Sequence, residues 1–312
     1  EGPRVLICGP SDSGKSSFAK ILTSYAARQG SQCIFVDLDP SQGLPIPGAI
    51  SAIPIVRPAS ITEGYDPVTP LSYYFGHLSP SKNTELYVAQ VQELAKVVDQ
   101  RLEQSAEMKK GGVVVNTCGW IDGEGFEILK TIVTTMKIDV VLVMDNDRLF
   151  AQMKSEFGSK LQVVKIPKSG GVVAREEKTR SKLRDTKIRH YFYGVRNDLC
   201  PQSKSVKFAD VVIYKIGGGP QAPLSALPIG AQSTHNPLRL SPTLPNSTMC
   251  HSILAISHAQ TAEDVLKTNV AGFIWIRESG VHTQQKKIDL LCPCSDPLPG
   301  KYFILGSLKY ME

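Results

Sequence analysis

The stretch from Gly9 to Ser17, GPSDSGKSS, has the residue types and spacing of a phosphate cradle. It fits the pattern G-x-x-x-x-G-K-S/T between a predicted strand and a predicted helix. Gly9 and Gly14 let the backbone turn so that successive N–H groups, from Ser11, Asp12 and Ser13 on to Ser16 and Ser17, face phosphate oxygens. Lys15 reaches the β and γ phosphates, and the Ser16 hydroxyl is placed for Mg²⁺. An ordinary glycine turn before a helix is the competing reading, and the strand–turn–helix context argues against it. The expected ligand is a nucleoside triphosphate.

Two acids follow at the end of the next strand, in VDLDPSQG. Like charges this close repel unless a cation or a proton resolves them. Asp37 is placed to orient the Mg²⁺ shell. Asp39 sits further out, where an acceptor hydroxyl would arrive and a kinase keeps its general base. The alternative for Asp39 is an Asx-type turn before Pro40. In VVVNTCGW the strand ends in Asn116 and Thr117, where many ATPases carry an aspartate, so the metal acid must come from the neighbouring strand, as Asp37 does. Trp120, beside Gly119 and just past a strand end, is either an inter-layer packing residue or a platform for a nucleobase. A guanine-specific GTPase needs an N/T-K-x-D run, and none is present. Partition-type ATPases carry an early P-loop lysine where this chain has Pro10, Ser11 and Asp12.

The most basic stretch runs from Lys165 to Arg189, where nine residues are Lys or Arg against three acids. On a helix Arg180, Arg184 and Lys187 fall within about 60° of one another. A basic helix hinged at Gly170 and Gly171 is the layout of a lid that closes over ATP, with arginines on the transferring phosphate. The competing reading is a solvated charged face.

The elements that must position these groups alternate. RVLICG, CIFVDLD, GVVVNT, DVVLVMD and LQVVKIP read as buried strands. Phe18, Ile21, Leu22, Tyr25 and Ala26 give the first helix an apolar face that Gly30 ends, and residues 84 to 104 read as a long helix. This pattern predicts an α/β fold, a P-loop parallel sheet with helices on both faces, over residues 1–200, its lid near 168–194. From 201 to 312 prolines accumulate (PQAPLSALP, NPLRLSPTLP) among short strands (VVIYKI, SILAISHA, AGFIWI, YFILGS), which predicts a small, mostly β domain. The 312 residues suffice for two such domains, and 42% hydrophobic with 21% charged residues is a globular composition. No apolar run approaches the roughly 20 residues of a membrane span, and no signal peptide is evident. The net charge of +6 permits an anionic partner without requiring one. Seven scattered cysteines predict reduced thiols in the cytosol or nucleus, and Cys292 with Cys294 lacks the partners of a zinc site. Because Glu1 leads straight into a strand, the chain is expected to be a piece of a longer protein.

Together GPSDSGKS, DLDPSQG, YYFGHLSP, NTCGW, PKSGGVV and RDTKIRHYFYG make the chain similar, over its whole length, to the Clp-type polyribonucleotide 5′-hydroxyl kinase family. That family is a nuclear subunit of the pre-mRNA cleavage and polyadenylation machinery and associates with the tRNA splicing endonuclease. The resemblance implies transfer of the ATP γ-phosphate to the 5′-hydroxyl of RNA, with Lys15 and Ser16 on phosphate and Mg²⁺ and Asp39 as the base. It implies an RNA-binding clasp that includes Thr117, Gly119 and Trp120 with Gln42, lid arginines at Arg175, Arg180 and Arg184, and a phosphate contact from Ser79. The family's N-terminal β domain, which contributes to its adenine pocket, is expected to lie outside this chain.

Two other functions fit parts of the sequence. Some members of the family resemble ATP-bound, non-catalytic scaffolds of RNA-processing complexes, which need the P-loop but not the base, the tryptophan or the lid arginines. A small-molecule kinase on the same fold is disfavoured by Trp120 and the density of basic charge.

Overall fold

Strands form where short apolar runs meet a turn, and the first unit of the fold is assembled from them. The computed structural model describes residues 1–65, 70–217, 236–295 and 297–312; the run PQAPLSALP lies outside them. In chain order the elements are β1 (Arg4–Cys8), α1 (Lys15–Arg28), β2 (Cys33–Leu38), β3 (Ala49–Ile55), β4 (Leu71–Tyr74), α2 (Thr84–Gln104), α3 (Ala106–Gly111) and β5 (Val113–Thr117). Then come α4 (Glu124–Thr135), β6 (Val140–Met144), α5 (Asp147–Phe157), β7 (Gln162–Ile166) and α6 (Glu177–Tyr193). The strands order as β3-β2-β5-β1-β6-β7. β2, β5, β1, β6 and β7 are parallel, as expected, while β3 joins antiparallel to β2. The sheet is therefore mixed, and β3 was hidden in the sequence by Pro54, a residue that removes a ladder donor.

Alternation along each strand shows that both faces of this sheet are covered. Ile7, Phe35, Val114 and Met144 share one face with Phe18, Leu22 and Ala26 of α1. Leu6, Val36, Val115 and Val141 must point the other way, and each is fully buried. The helix itself is rotated from the expected face. Ile21 and Tyr25 are 54% and 60% exposed, while Lys15, Ala19 and Thr23 are buried. The P-loop delivers Lys15 facing inward, so the positions four and eight residues later follow it inward, and their small side chains let the helix sit close.

The second unit starts at Tyr74, is interrupted, and resumes within α6. It comprises Tyr74–Tyr87 and Lys187–Glu312, against Glu1–Tyr73 and Val88–Thr186 for the first. The division therefore differs from a single boundary at residue 200. Its cause is packing: Ile188 and Phe192 are buried, and the Tyr191 hydroxyl accepts from the Phe273 N–H at 2.9 Å. Tyr74 likewise donates its hydroxyl to the Ile253 carbonyl and meets Phe273 edge-on, and Phe75 packs on Tyr87.

The described remainder of this unit is mostly β structure, as the sequence predicts. β8 (Gln202–Lys207), β9 (Val212–Ile216), β10 (Leu240–Pro242), β11 (Ser252–Ser257), β12 (Val270–His282), β13 (Lys287–Cys292) and β14 (Tyr302–Lys309) order as β10-β9-β14-β11-β12-β13-β8. All pair antiparallel except β14 with β9. Leu254, Ile256, Ile274, Ile276, Ile288, Leu290 and Phe303 form its core. At about 1.5–3 kcal/mol for each large apolar side chain buried, that cluster is what holds the unit together. Among the described residues no helix is long and apolar enough to cross a membrane.

Candidate active site

The cradle closes on itself at the carboxyl end of β1. Gly14 takes a left-handed φ of 94° and caps α1, a turn that a residue with a Cβ resists. Ser13 donates its hydroxyl to the Pro10 carbonyl at 2.9 Å. Lys15 donates from Nζ to the carbonyls of Gly9 (2.9 Å) and Pro10 (2.7 Å), so the ammonium lies inside the loop where phosphate oxygens belong. Burial pulls its pKa below the ordinary lysine value, and Asp39 is the foremost of the charges resisting that shift. Ser16 and Ser17 are exposed on the first turn of α1, where helix N–H groups favour an anion.

Beside the cradle lies a corner of oxygens. Asp37 on β2 stands in register with Asn116 on β5, and Asn116 Nδ2 donates to Asp37 Oδ1 at 3.0 Å. The same Nδ2 lies 3.4 Å from Ser16 Oγ. Asn116 Oδ1 is buried with no hydrogen-bond partner among the described residues. The Ser16 hydroxyl and the Asp37 carboxylate, which meet the same amide nitrogen, are hard oxygen donors of the kind Mg²⁺ takes, so the residues present fit that ion. Asp39 sits one step beyond. Its Oδ1 accepts from the Ser41 N–H at 3.0 Å and the Ser41 hydroxyl at 2.7 Å, which is the Asx turn. Its Oδ2 has no donor among the described residues, so the turn uses one oxygen and leaves the other. Gln42 closes the same turn, its N–H donating to the Asp39 carbonyl at 3.3 Å.

The segment after β5 divides by role. Thr117 is buried, and its hydroxyl donates to the Ile7 carbonyl at 2.9 Å, tying β5 to β1. Gly119 lies against the P-loop: a Cβ there would stand 2.3 Å from Ser11 Oγ and 2.6 Å from Ser11 N. Gly119→Ala is therefore expected to push the P-loop out of shape and weaken ATP binding about 5- to 150-fold, since overpacking of this kind costs about 1–3 kcal/mol. Equilibrium dialysis with labelled ATP checks this, and unchanged retention would show that the loop can yield. Trp120 is half-buried, and a Cβ on Gly125 of α4 would meet its Cγ at 2.9 Å, so α4 backbone supports the ring.

The lid arginines separate into two sets. Arg175 donates its N–H to Asp12 Oδ2 (2.9 Å) and its Nε to Asp12 Oδ1 (3.2 Å). Arg180 donates Nη2 to Asp12 Oδ2 at 2.6 Å. Arg184 instead pairs with Glu177, Nη2 to Oε1, at 2.6 Å. Burial disfavours charge on Asp12, but the Arg175 N–H and the two guanidinium groups outweigh it and hold its carboxyl below the usual carboxylate range. Ser79 belongs to the second unit, where its hydroxyl bonds that of Ser81 at 2.8 Å. Cys292 and Cys294 lie with sulfurs 3.4 Å apart, and among the described residues no group of three or more His, Cys, Asp or Glu could hold a metal. Sequence reasoning missed Asn116 and Ser41 as neighbours of the two acids, and missed the pairing of Asp12 with Arg175 and Arg180. The available signal for Asp12 was a carboxylate placed in a loop built to receive anions, which demands cations from elsewhere in the chain.

Residues 9–194 match the family described as mRNA cleavage and polyadenylation factor CLP1 P-loop, and residues 199–312 that described as pre-mRNA cleavage complex II protein Clp1. Protein CLP1 homolog of Dictyostelium discoideum is 44% identical over 315 residues, which cover 100% of this chain and 68% of that protein. Polyribonucleotide 5'-hydroxyl-kinase Clp1 of Homo sapiens is 39% identical over 313 residues, covering 100% of this chain and 73% of that protein. A solved complex of wild-type Clp1p with Pcf11p is similar at a TM-score of 0.85 and 30% identity, over 100% of this chain and 75% of that one. A second, on the extended Pcf11p–Clp1p interface and ATP loss in a glycine-to-arginine mutant, gives 0.86 at 30% identity, over 100% and 76%. The chain belongs to the Clp1 family of mRNA cleavage and polyadenylation factors.

Proposed function

We propose that this chain transfers the γ-phosphate of ATP to the 5′-hydroxyl of a polyribonucleotide. The observation that carries this reading is the gathering of a P-loop lysine, an acid with one oxygen unspent and two lid arginines in the first unit, with the arginines bonded to the P-loop itself. The relatives named as 5'-hydroxyl kinases support it. Lys15 exchanges two backbone carbonyls for phosphate oxygens when ATP enters. Asp39 Oδ2 takes the proton of the 5′-hydroxyl as its oxygen bonds to the γ-phosphorus and the bond to ADP breaks. Arg175 and Arg180 balance charge on the transferring group. Gly119 and Trp120 line the approach of the RNA end, where the ring stacks on its base, with Gln42 on the same side, while Thr117 supports them from beneath by tying β5 to β1. Bound Mg²⁺, on Ser16 and Asp37, would supply charge neutralisation at the phosphates. The setting we infer is the nucleus, with cleavage factor subunits as partners, as in the Pcf11p complexes, and with the tRNA splicing endonuclease in a second pathway.

The scaffold reading has one observation of its own, that Lys15 Nζ is bonded to the Gly9 and Pro10 carbonyls and so serves the loop itself. Transfer of label from γ-labelled ATP to a short 5′-hydroxyl RNA separates the two. Label on the RNA that Lys15→Ala abolishes supports the kinase. ATP retained with no label on RNA favours the scaffold.

A further inference from the structure

We propose that Asp12 is a positioning residue for the lid: its carboxylate, set within the phosphate cradle, gathers Arg175 and Arg180 onto the P-loop. A carboxylate in a loop built to receive phosphate repels its own ligand unless its charge is cancelled. Here it is more than cancelled, because two guanidinium groups meet one acid and leave a surplus positive charge facing the cradle. Both carboxylate oxygens are used. Oδ1 accepts Arg175 Nε, and Oδ2 accepts both the Arg175 N–H and Arg180 Nη2. Arg180 Nε also donates to the Arg175 carbonyl at 3.0 Å, so the entry to α6 is tied at four points.

The backbone explains why this residue can do it. Asp12 has a φ of 54°, a left-handed conformation that Asp and Asn tolerate better than other side chains. Its side chain is only 9% exposed, so the charge–charge contacts are little screened on its side. The anchor is also selective, since Arg184 pairs with Glu177 and takes no part. Each guanidinium carries five N–H donors, and the Asp12 bonds spend only some of them, so donors remain for a phosphate.

What the arginines then do rests on the kinase reading, but the anchoring does not, and it can be measured without phosphoryl transfer. Amide hydrogen exchange of residues 173–181 would be followed in the nucleotide-free protein, in D12N, in R180Q and in the double variant. D12N keeps a residue that tolerates the left-handed turn and removes the charge. Either single change is expected to speed exchange there about tenfold or more, and the double change no further, because both cut one network. A non-hydrolysable ATP analogue should restore protection in D12N. In transfer assays D12N should lose about tenfold in kcat, with KM for ATP within about threefold, since Asp12 holds the arginines and not the nucleotide. R180Q leaves the P-loop sequence intact and decides the matter if D12N disturbs the loop. Unchanged exchange in R180Q, or effects that add in the double variant, would overturn the proposal. A wild-type protein that transfers no phosphate yet shows this exchange pattern would sink the kinase reading alone.

Discussion

Asp39→Asn is expected to slow γ-phosphate transfer to a 5′-hydroxyl RNA about 10²–10⁴-fold, the usual span for losing a general base. The substitution is a clean test because the turn survives it. Asparagine closes an Asx turn as readily as aspartate, so the bonds from Ser41 to Oδ1 persist. What disappears is the second carboxylate oxygen, the one without a donor among the described residues, and an amide nitrogen in its place cannot accept a proton. ATP retention should stay within about threefold, because losing a transition-state contact leaves ground-state binding alone. Single-turnover transfer with saturating ATP, beside dialysis with labelled ATP, gives both numbers. A transfer rate within threefold of wild type would reduce Asp39 to a turn-forming residue.

The second large effect concerns the lid. Arg180→Gln is expected to lower kcat about 10³-fold or more, by analogy with arginines that neutralise a transferring phosphoryl group. Arg184→Gln should cost no more than about tenfold. The contrast comes from geometry, because Arg180 is bonded to the P-loop through Asp12 whereas Arg184 is spent on Glu177. A sequence gives no reason to rank these two, one helical turn apart on a basic face. Steady-state kinetics at saturating RNA would show the ranking, and equal losses would count against it. The Asp12 pairing adds a pH signature. Its carboxyl is held below the usual range, so the anchorage is complete above the ordinary aspartate titration and is lost only as pH falls through the lowered value. Near neutral pH the lid should be insensitive to pH.

Parts of this site were legible because their logic is local. The cradle needs only eight consecutive residues, and the lack of an acid at the end of β5 directs attention to Asp37 on the neighbouring strand. The pairing of Asn116 with Asp37 was not legible, since it depends on the register of two parallel strands 79 residues apart. On α1 the expected apolar face holds for Phe18, Leu22 and Ala26 but not for Ile21 and Tyr25, for a related reason. Periodicity finds where hydrophobic residues cluster, but the inward-facing Lys15 sets the rotation, and Ile21 and Tyr25 are left outside. β3 and β8 went unseen because one contains Pro54 and the other, QSKSVK, is almost wholly polar. Both lie where pairing to a neighbour, rather than their own pattern, makes the strand.

The interrupted second unit has a consequence for synthesis on the ribosome. Residues 74–87 leave the exit tunnel well ahead of the atoms that bury Tyr74, since the Ile253 carbonyl lies 179 residues further along and the Phe273 ring beyond it. At the usual pace of translation the remainder of that unit takes on the order of 10 s to appear. For that interval three aromatic residues, Tyr74, Phe75 and Tyr87, wait without the later strands of their own unit. A nascent chain arrested before β11 should thus hold a sticky aromatic segment that a chaperone can grip, and releasing the arrest should end that association.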